Sequence, residues 1–190
     1  MNIYKFGLML VLGVLLAGPV RAVEVEGVTV PDSVQVAGKR LQLNGSGVRT
    51  KFFFDIYVGA LYLSQPATSA QQAIDAPGPK RLTMAILYDE VSREKLVYGW
   101  IEGFEKNQSK VLLQKLQSRL DRFNGMFSNA YKGDLFTFNF LEDGSTVVTL
   151  KGKRAGTISG ADFQRALLEV WLGRKPADKN LKAAMLQGSS

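Results

Sequence analysis

Residues 45–63 read GSGVRTKFFFDIYVGALYL, and the way this stretch folds decides how the rest of the chain can be arranged. A glycine-bearing turn from Gly45 to Lys51, holding Arg49, is expected to lead into one long apolar strand, 52–63. That strand carries an acid, Asp55, and a tyrosine, Tyr57, through the core. Burying polar groups costs free energy unless they find partners. Arg49, Asp55 and Tyr57 are therefore either satisfied structural groups or the polar end of an apolar pocket. On an extended strand Asp55 and Tyr57 share one face, and Phe54 and Ile56 the other. Asp55 reads as a carboxylate paired with a lysine or arginine across the sheet, or as a catalytic acid or base. Arg49 reads as a donor to turn carbonyls or to Asp55, or as the anchor of a ligand carboxylate or phenolate. Its five fixed donors and permanent charge suit the latter, and a nearby tyrosine hydroxyl can share the same anion.

Outward from this stretch, residues 23–30 (VEVEGVTV) alternate as one half-buried strand. Segments 33–37 and 40–44 flank Gly38 as a hairpin. Gln65 to Ala76 reads as a short helix capped by Thr68 or Ser69 and stopped by Pro77-Gly78-Pro79. Arg81 to Leu87 is a strand. Residues 92–106 place Leu96, Val97, Trp100, Ile101 and Phe104 on one helical face, with Ser92 as N-cap. A second helix spans about 109–123, with Lys110, Lys115, Arg119 and Arg122 on its polar side. Residues 135–141 and 145–151 flank Asp143-Gly144 as a hairpin. A strand at 155–159 and helices at 162–172 and 179–186 follow, the last capped by Asp178. The order strands, helices, strands, helices predicts an α+β fold with a mostly antiparallel sheet.

The first 22 of the 190 residues have the layout of a secretory signal peptide. Lys5 gives a positive start, Phe6 to Leu16 an apolar run, and Val20-Arg21-Ala22 a cleavage site after Ala22. The run is short for a membrane span, which needs roughly 20 apolar residues. Residues 23–190 then form a single domain with no integral membrane segment after cleavage. The plain leader and the lack of cysteine favour a bacterial periplasm. The net charge of +7 is dispersed, apart from short clusters such as Lys151-Gly152-Lys153-Arg154. It reads as a solvated basic surface that permits weak attraction to anionic lipid head groups. Nucleic acid is not an expected partner, because no basic helix with interleaved aromatics is present.

With no histidine and no cysteine, the chain has no imidazole base, no thiol nucleophile and no imidazole or thiolate metal site. No phosphate-cradling loop is present. No metal or cofactor is expected. Asp89-Glu90 reads as a turn and helix-start pair, and Glu142-Asp143 as a solvated hairpin tip. The aromatics Trp100, Trp171, Phe104, Phe123, Phe127, Phe136, Phe138 and Phe163 read as core packing. Apolar elements around an Arg49–Tyr57 pair have the general form of a small-molecule pocket.

At residues 44–63, NGSGVRTKFFFDIYVGALYL, the chain resembles the chalcone isomerase-like family. Similarity extends over VSREKLVYGWIEGF, 91–104, and over the C-terminal Ala166 to Leu186, which includes WLGRKPADKNLKAAML. The resemblance implies an open-faced β-sandwich, a large antiparallel sheet covered by a layer of helices. Plant isomerases of this family close a chalcone into a flavanone, and related plant proteins bind fatty acids. The family's anchor arginine falls on Arg49. Tyr57 falls where the isomerases have threonine and the fatty-acid binders tyrosine. The isomerases' catalytic tyrosine and asparagine fall on Val91 or Ser92 and on Gly99, beside Tyr98, and neither side chain is retained. Their specificity serine or threonine falls about Asp178. The expected function is non-catalytic binding of a small amphipathic acid such as a fatty acid, held by Arg49 and Tyr57. Asp55, Tyr98 and Asp178 are secondary candidates. The alternatives are an intramolecular lyase acting on a phenolic enone, and an envelope interaction protein with a filled cleft.

Overall fold

The computed structural model describes residues 22–188. The leader and the tail residues 189 and 190 lie outside the described residues, except Ala22, which opens the first strand. β1 (Ala22–Val25) and β2 (Val28–Pro31) form a hairpin where one strand is expected from the alternation. Glu26 and Gly27 take positive φ values of 47° and 72°, the two-residue turn that suits strand twist. The alternating pattern runs straight through this turn, so it hides the reversal.

β3 (Ser33–Val36), β4 (Lys39–Lys51) and β5 (Phe54–Leu63) form a meander. After the capped helix α1 (Ala70–Asp75) come β6 (Lys80–Ile86), the short β7 (Glu90–Val91), and the helices α2 (Arg93–Asn107) and α3 (Lys110–Asn124). β8 (Ala130–Tyr131) pairs with β7. β9 (Leu135–Phe140), β10 (Thr146–Leu150) and β11 (Lys153–Ile158) return to the sheet, and α4 (Ala161–Leu172) and α5 (Lys179–Met185) close the chain. One seven-stranded sheet results, in the order β11-β10-β9-β6-β5-β4-β3, with every pairing antiparallel.

The stretch 45–51 is not a turn. It is the second half of β4, and the chain reverses at Phe52-Phe53, with Phe52 at φ 58°. The apolar strand therefore begins at Phe54 rather than at 52, and its first residues are outside the core. The glycines serve a different end, close approach of α5. A Cβ on Gly47 would lie 2.6 Å from the Ala184 Cβ, and one on Gly59 would lie 2.5 Å from the Met185 methyl. Gly47 and Gly59 stand directly opposite each other on β4 and β5, and Gly45 meets the Ala184 carbonyl oxygen in the same way. A bare strip of backbone thus seats the last helix.

The larger core lies between the sheet and the helices. Trp100 is its hub, with the rings of Phe123, Phe127, Phe138 and Trp171 all within 5.7 Å. A smaller core on the other face of β4 and β5 gathers Leu41, Val58, Ala60 and Tyr62 beneath the β1–β2 hairpin. β5 is consequently buried on both faces from Tyr57 to Leu63, as an unbroken apolar run predicts. No described helix is long and apolar enough to cross a membrane.

Candidate functional site

Arg49 and Tyr57 face each other across β4 and β5, and the ladder shifts by one residue immediately beyond them, where Thr50 pairs with Asp55. Ile56 is the extra residue of this β-bulge, and its carbonyl accepts the N–H groups of Leu87 at 2.9 Å and Tyr88 at 3.3 Å. A bulge breaks the two-residue alternation and re-aims side chains. That is why Asp55 and Tyr57, expected on one face, part company. Tyr57 goes into the core, 2 % exposed. Asp55 is exposed and accepts the Thr50 hydroxyl at 2.8 Å. The expected buried carboxylate is therefore corrected to a surface group held by its cross-strand neighbour. The cross-strand lysine or arginine partner expected for it is replaced by a threonine.

Tyr57 lies against a cavity of about 50 Å³ whose wall includes Arg49, Ile56, Met84, Trp100, Val170 and Ala177. The Trp171 indole N–H donates to the Tyr57 hydroxyl oxygen at 2.9 Å. The phenolic proton has no acceptor of its own among the described residues. Burial raises the Tyr57 pKa above its ordinary 10.0, so the proton is held tightly. The positive charge of Arg49 opposes that shift, as do the Trp171 hydrogen bond and a loose approach of the guanidinium to the hydroxyl. The guanidinium carbon lies 5.6 Å from the centre of the Tyr57 ring.

Two residues that line this cavity each bury a further donor without an acceptor. The Arg49 Nε and the Trp100 Nε1 are both buried with no hydrogen-bond partner. Arg49 forms neither a bond to Asp55 nor an ion pair with any described residue. A buried donor left without an acceptor costs about 1–3 kcal/mol. Arg49, Tyr57 and Trp100 thus line one small space, and two of them bury an N–H that has no partner among the described residues. What such a space takes is an acceptor, and a carboxylate offers four lone-pair directions on two oxygens.

Arg49, Ile56, Val91, Lys95 and Gly99 also border a second, open cleft of about 490 Å³. The cleft runs between the β4–β5 tip (Lys51, Phe52, Phe54) and the outer side of α2 (Glu94, Tyr98, Glu102). Its volume falls within the range of roughly 300–1,000 Å³ usual for ligand sites. Gly99 sits in the middle of α2, and a Cβ there would meet nothing within 4 Å. The missing side chain leaves room where the inner cavity meets the outer cleft.

The remaining candidates divide. Tyr98 lies on the outer cleft and is 61 % exposed. Asp178 is the N-cap of α5, accepting the Leu181 N–H at 2.9 Å and the Thr50 N–H at 3.2 Å, so it ties the helix to β4 beside Arg49. Ala177, its neighbour, reaches the inner cavity. Ser92 caps α2 through the Lys95 N–H, while Val91 borders both spaces. Helical and strand spacing predicts core packing for most of the aromatics, Trp100 and Trp171 among those considered. Both do pack, and one of them also orients Tyr57 while the other brings a free N–H. A tryptophan in a core needs an acceptor for its N–H, and that requirement was the available signal.

A family model described as chalcone isomerase-like matches residues 22–187. Among solved structures, a fatty-acid binding protein of Arabidopsis thaliana is similar in fold. It is 16% identical, with a TM-score of 0.68, over 88% of this chain and 96% of that one. Among curated proteins no sequence matches.

Proposed function

Because the chain belongs to the chalcone isomerase-like family and lines an otherwise largely apolar cavity with Arg49, Tyr57 and Trp100, we propose that it is a non-catalytic binding protein for a small amphipathic acid such as a fatty acid. The observation that carries this reading is one cavity lined by Arg49, Tyr57 and Trp100, with the Arg49 Nε and the Trp100 Nε1 buried and without a partner among the described residues. The carboxylate enters head first. Arg49 supplies the charge, Tyr57 its phenolic proton and Trp100 its indole N–H. At about 50 Å³ the inner cavity takes a head group and no more, so the hydrocarbon lies in the outer cleft of about 490 Å³, against Ile56, Phe54, Tyr88 and Tyr98. The fold shared with a fatty-acid binding protein supports this class of ligand. The leader-like residues 1–22 support a working place in the periplasm.

Neither of the isomerases' catalytic side chains is present at the matching positions. Tyr57 is held protonated by burial, and the positions that match the isomerases' catalytic pair carry Val91 or Ser92 and Gly99. Chalcone absorbance should therefore stay unchanged on incubation with the protein. The deciding experiment is extraction of the purified protein and mass spectrometry of what it carries, followed by calorimetric titration with dodecanoate. Arg49→Ala should weaken binding at least about tenfold, the worth of one charge-assisted hydrogen bond. A wild-type protein that carries no acid and takes up none on titration ends this reading.

A further inference from the structure

The β4–β5 tip is three consecutive phenylalanines turned to water. Phe52 is 84 % exposed, Phe53 96 % and Phe54 55 %. A bulky residue at positive φ is a backbone outlier, and Phe52 holds φ 58° at a position glycine would occupy without strain. The turn is thus poorly suited to reversing the chain and well suited to presenting rings.

The strand register brings more of the same chemistry to this end of the sheet. Tyr57 opposes Ile86, Ala85 opposes Leu135, and Phe136 opposes Leu150. The 87–89, 131–134 and 151–152 turns therefore lie at the same end of the sheet as the tip. Tyr88 packs edge-on against Phe54 at 5.5 Å. Tyr131 and Leu135 are exposed, with the Lys151 ammonium 5.1 Å from the Tyr131 ring centre. Asp134 is paired with Lys151 at 2.9 Å. That leaves Lys51, Lys95, Lys132, Lys153 and Arg154 outside any ion pair among the described residues, against Asp55, Asp89, Glu90 and Glu94. Aromatic rings with polar ends and flanking cations are what a membrane–water interface selects.

We infer that this tip docks the molecule on the surface of an anionic lipid bilayer, with Phe53 inserted at head-group depth and the outer cleft opening toward the lipid. Phe52 and Phe54 border the cleft while Phe53 stands outside it. A docked tip would put the cleft mouth where an amphipathic acid partitions. Three phenylalanines bury roughly 150–250 Å² each, short of the about 800 Å² per partner that a stable protein interface uses. Insertion into lipid has no such minimum. The docking requires no ligand in the cleft, so it stands or falls separately from the acid-binding reading.

The test uses the full chain and vesicles of three parts phosphatidylethanolamine to one part phosphatidylglycerol. In Phe53→Trp the new indole should shift to the blue on adding vesicles and be quenched by brominated lipid. Both native tryptophans are buried, and residues 1–22 contain none, so this signal belongs to the tip. Phe53→Ser should lower vesicle partitioning about tenfold, from the apolar area it removes, with dodecanoate affinity in vesicle-free buffer unchanged. Arg49→Ala should lose the acid and keep the vesicles. An indole at position 53 that still emits as in water, a Phe53→Ser protein that partitions like wild type, or a wild-type dimer dispersed by Phe53→Ser with no change in vesicle binding would each overturn the proposal.

Discussion

Trp100 buries an N–H that nothing among the described residues accepts, and it does so amid the rings of Phe123, Phe127, Phe138 and Trp171. A donor of that kind weakens the empty protein and strengthens the occupied one. Trp100→Phe should accordingly leave unliganded stability within about 1–2 kcal/mol of wild type, since the small void and the relieved donor offset each other. Its affinity for dodecanoate should fall about tenfold, the loss of one hydrogen bond to a charged group. Urea unfolding and calorimetric titration separate the two effects. Gly99 gives the complementary case. Glycine inside a helix costs roughly 0.5–1 kcal/mol relative to alanine, and here nothing crowds the missing Cβ. Gly99→Leu should keep or raise the melting temperature while blocking uptake of the acid. A leucine variant that still binds as wild type would show that the hydrocarbon does not pass this point.

At the scale of elements, the helices were legible because their ends carry their own chemistry. Ser92, Ser109 and Asp178 each accept a hydrogen bond from the first turn of the helix they open, and those residue types announce it in the sequence. The β4–β5 ribbon was not legible in the same way. Its glycines look like turn residues, yet their reason is α5, about 140 residues further along the chain and invisible to any local window. The bulge at Ile56 is set by cross-strand pairing, and one unpaired residue is enough to reverse which side chains reach the core. Hence Arg49 and Tyr57 were legible as a pair, while the fate of Asp55 was not. The second ladder shift in this ribbon, at Asn44, has the same origin. There the side chain accepts the Ala67 N–H at 2.7 Å and donates to the carbonyls of Ala67 and Met185 at 2.9 and 2.7 Å. Gly47→Val should lift α5 from its strip and cost about 1–3 kcal/mol, read as a lower urea midpoint. Because Ala177 moves with α5, dodecanoate affinity should fall as well.

For the whole molecule, the two cores on opposite faces of one sheet each contain a tyrosine that resists ionisation. Burial raises Tyr57 in the helix-covered core, and pushes Tyr62 in the hairpin-covered core up to about 12. Both ordinarily titrate at 10.0. The folded protein therefore holds these protons after the unfolded chain has released them. Their contribution is fully present below pH 10 and is lost as the pH rises beyond it, for Tyr62 by about pH 12. For Tyr62 the loss amounts to roughly 2–3 kcal/mol. Unfolding free energy measured across this window should be flat up to about pH 10 and fall beyond it. Tyr62→Phe should make that fall shallower. An equally steep fall in the variant would mean that other groups govern alkaline unfolding.

The glycine strip beneath α5 also fixes when in the life of the chain the protein becomes competent. β4 and β5 are synthesised well before α5, the helix that covers them. Contacts this distant in sequence form late, because the loop they close is costly until the rest has folded. The segment from Val170 to Ala177, which walls the inner cavity and is held by the Ala177 N–H to the Val170 carbonyl at 2.8 Å, leads directly into that helix. A nascent or truncated chain can pair its sheet and still have no enclosed place for a head group. Closure of the inner cavity thus waits on the segment that leads into α5.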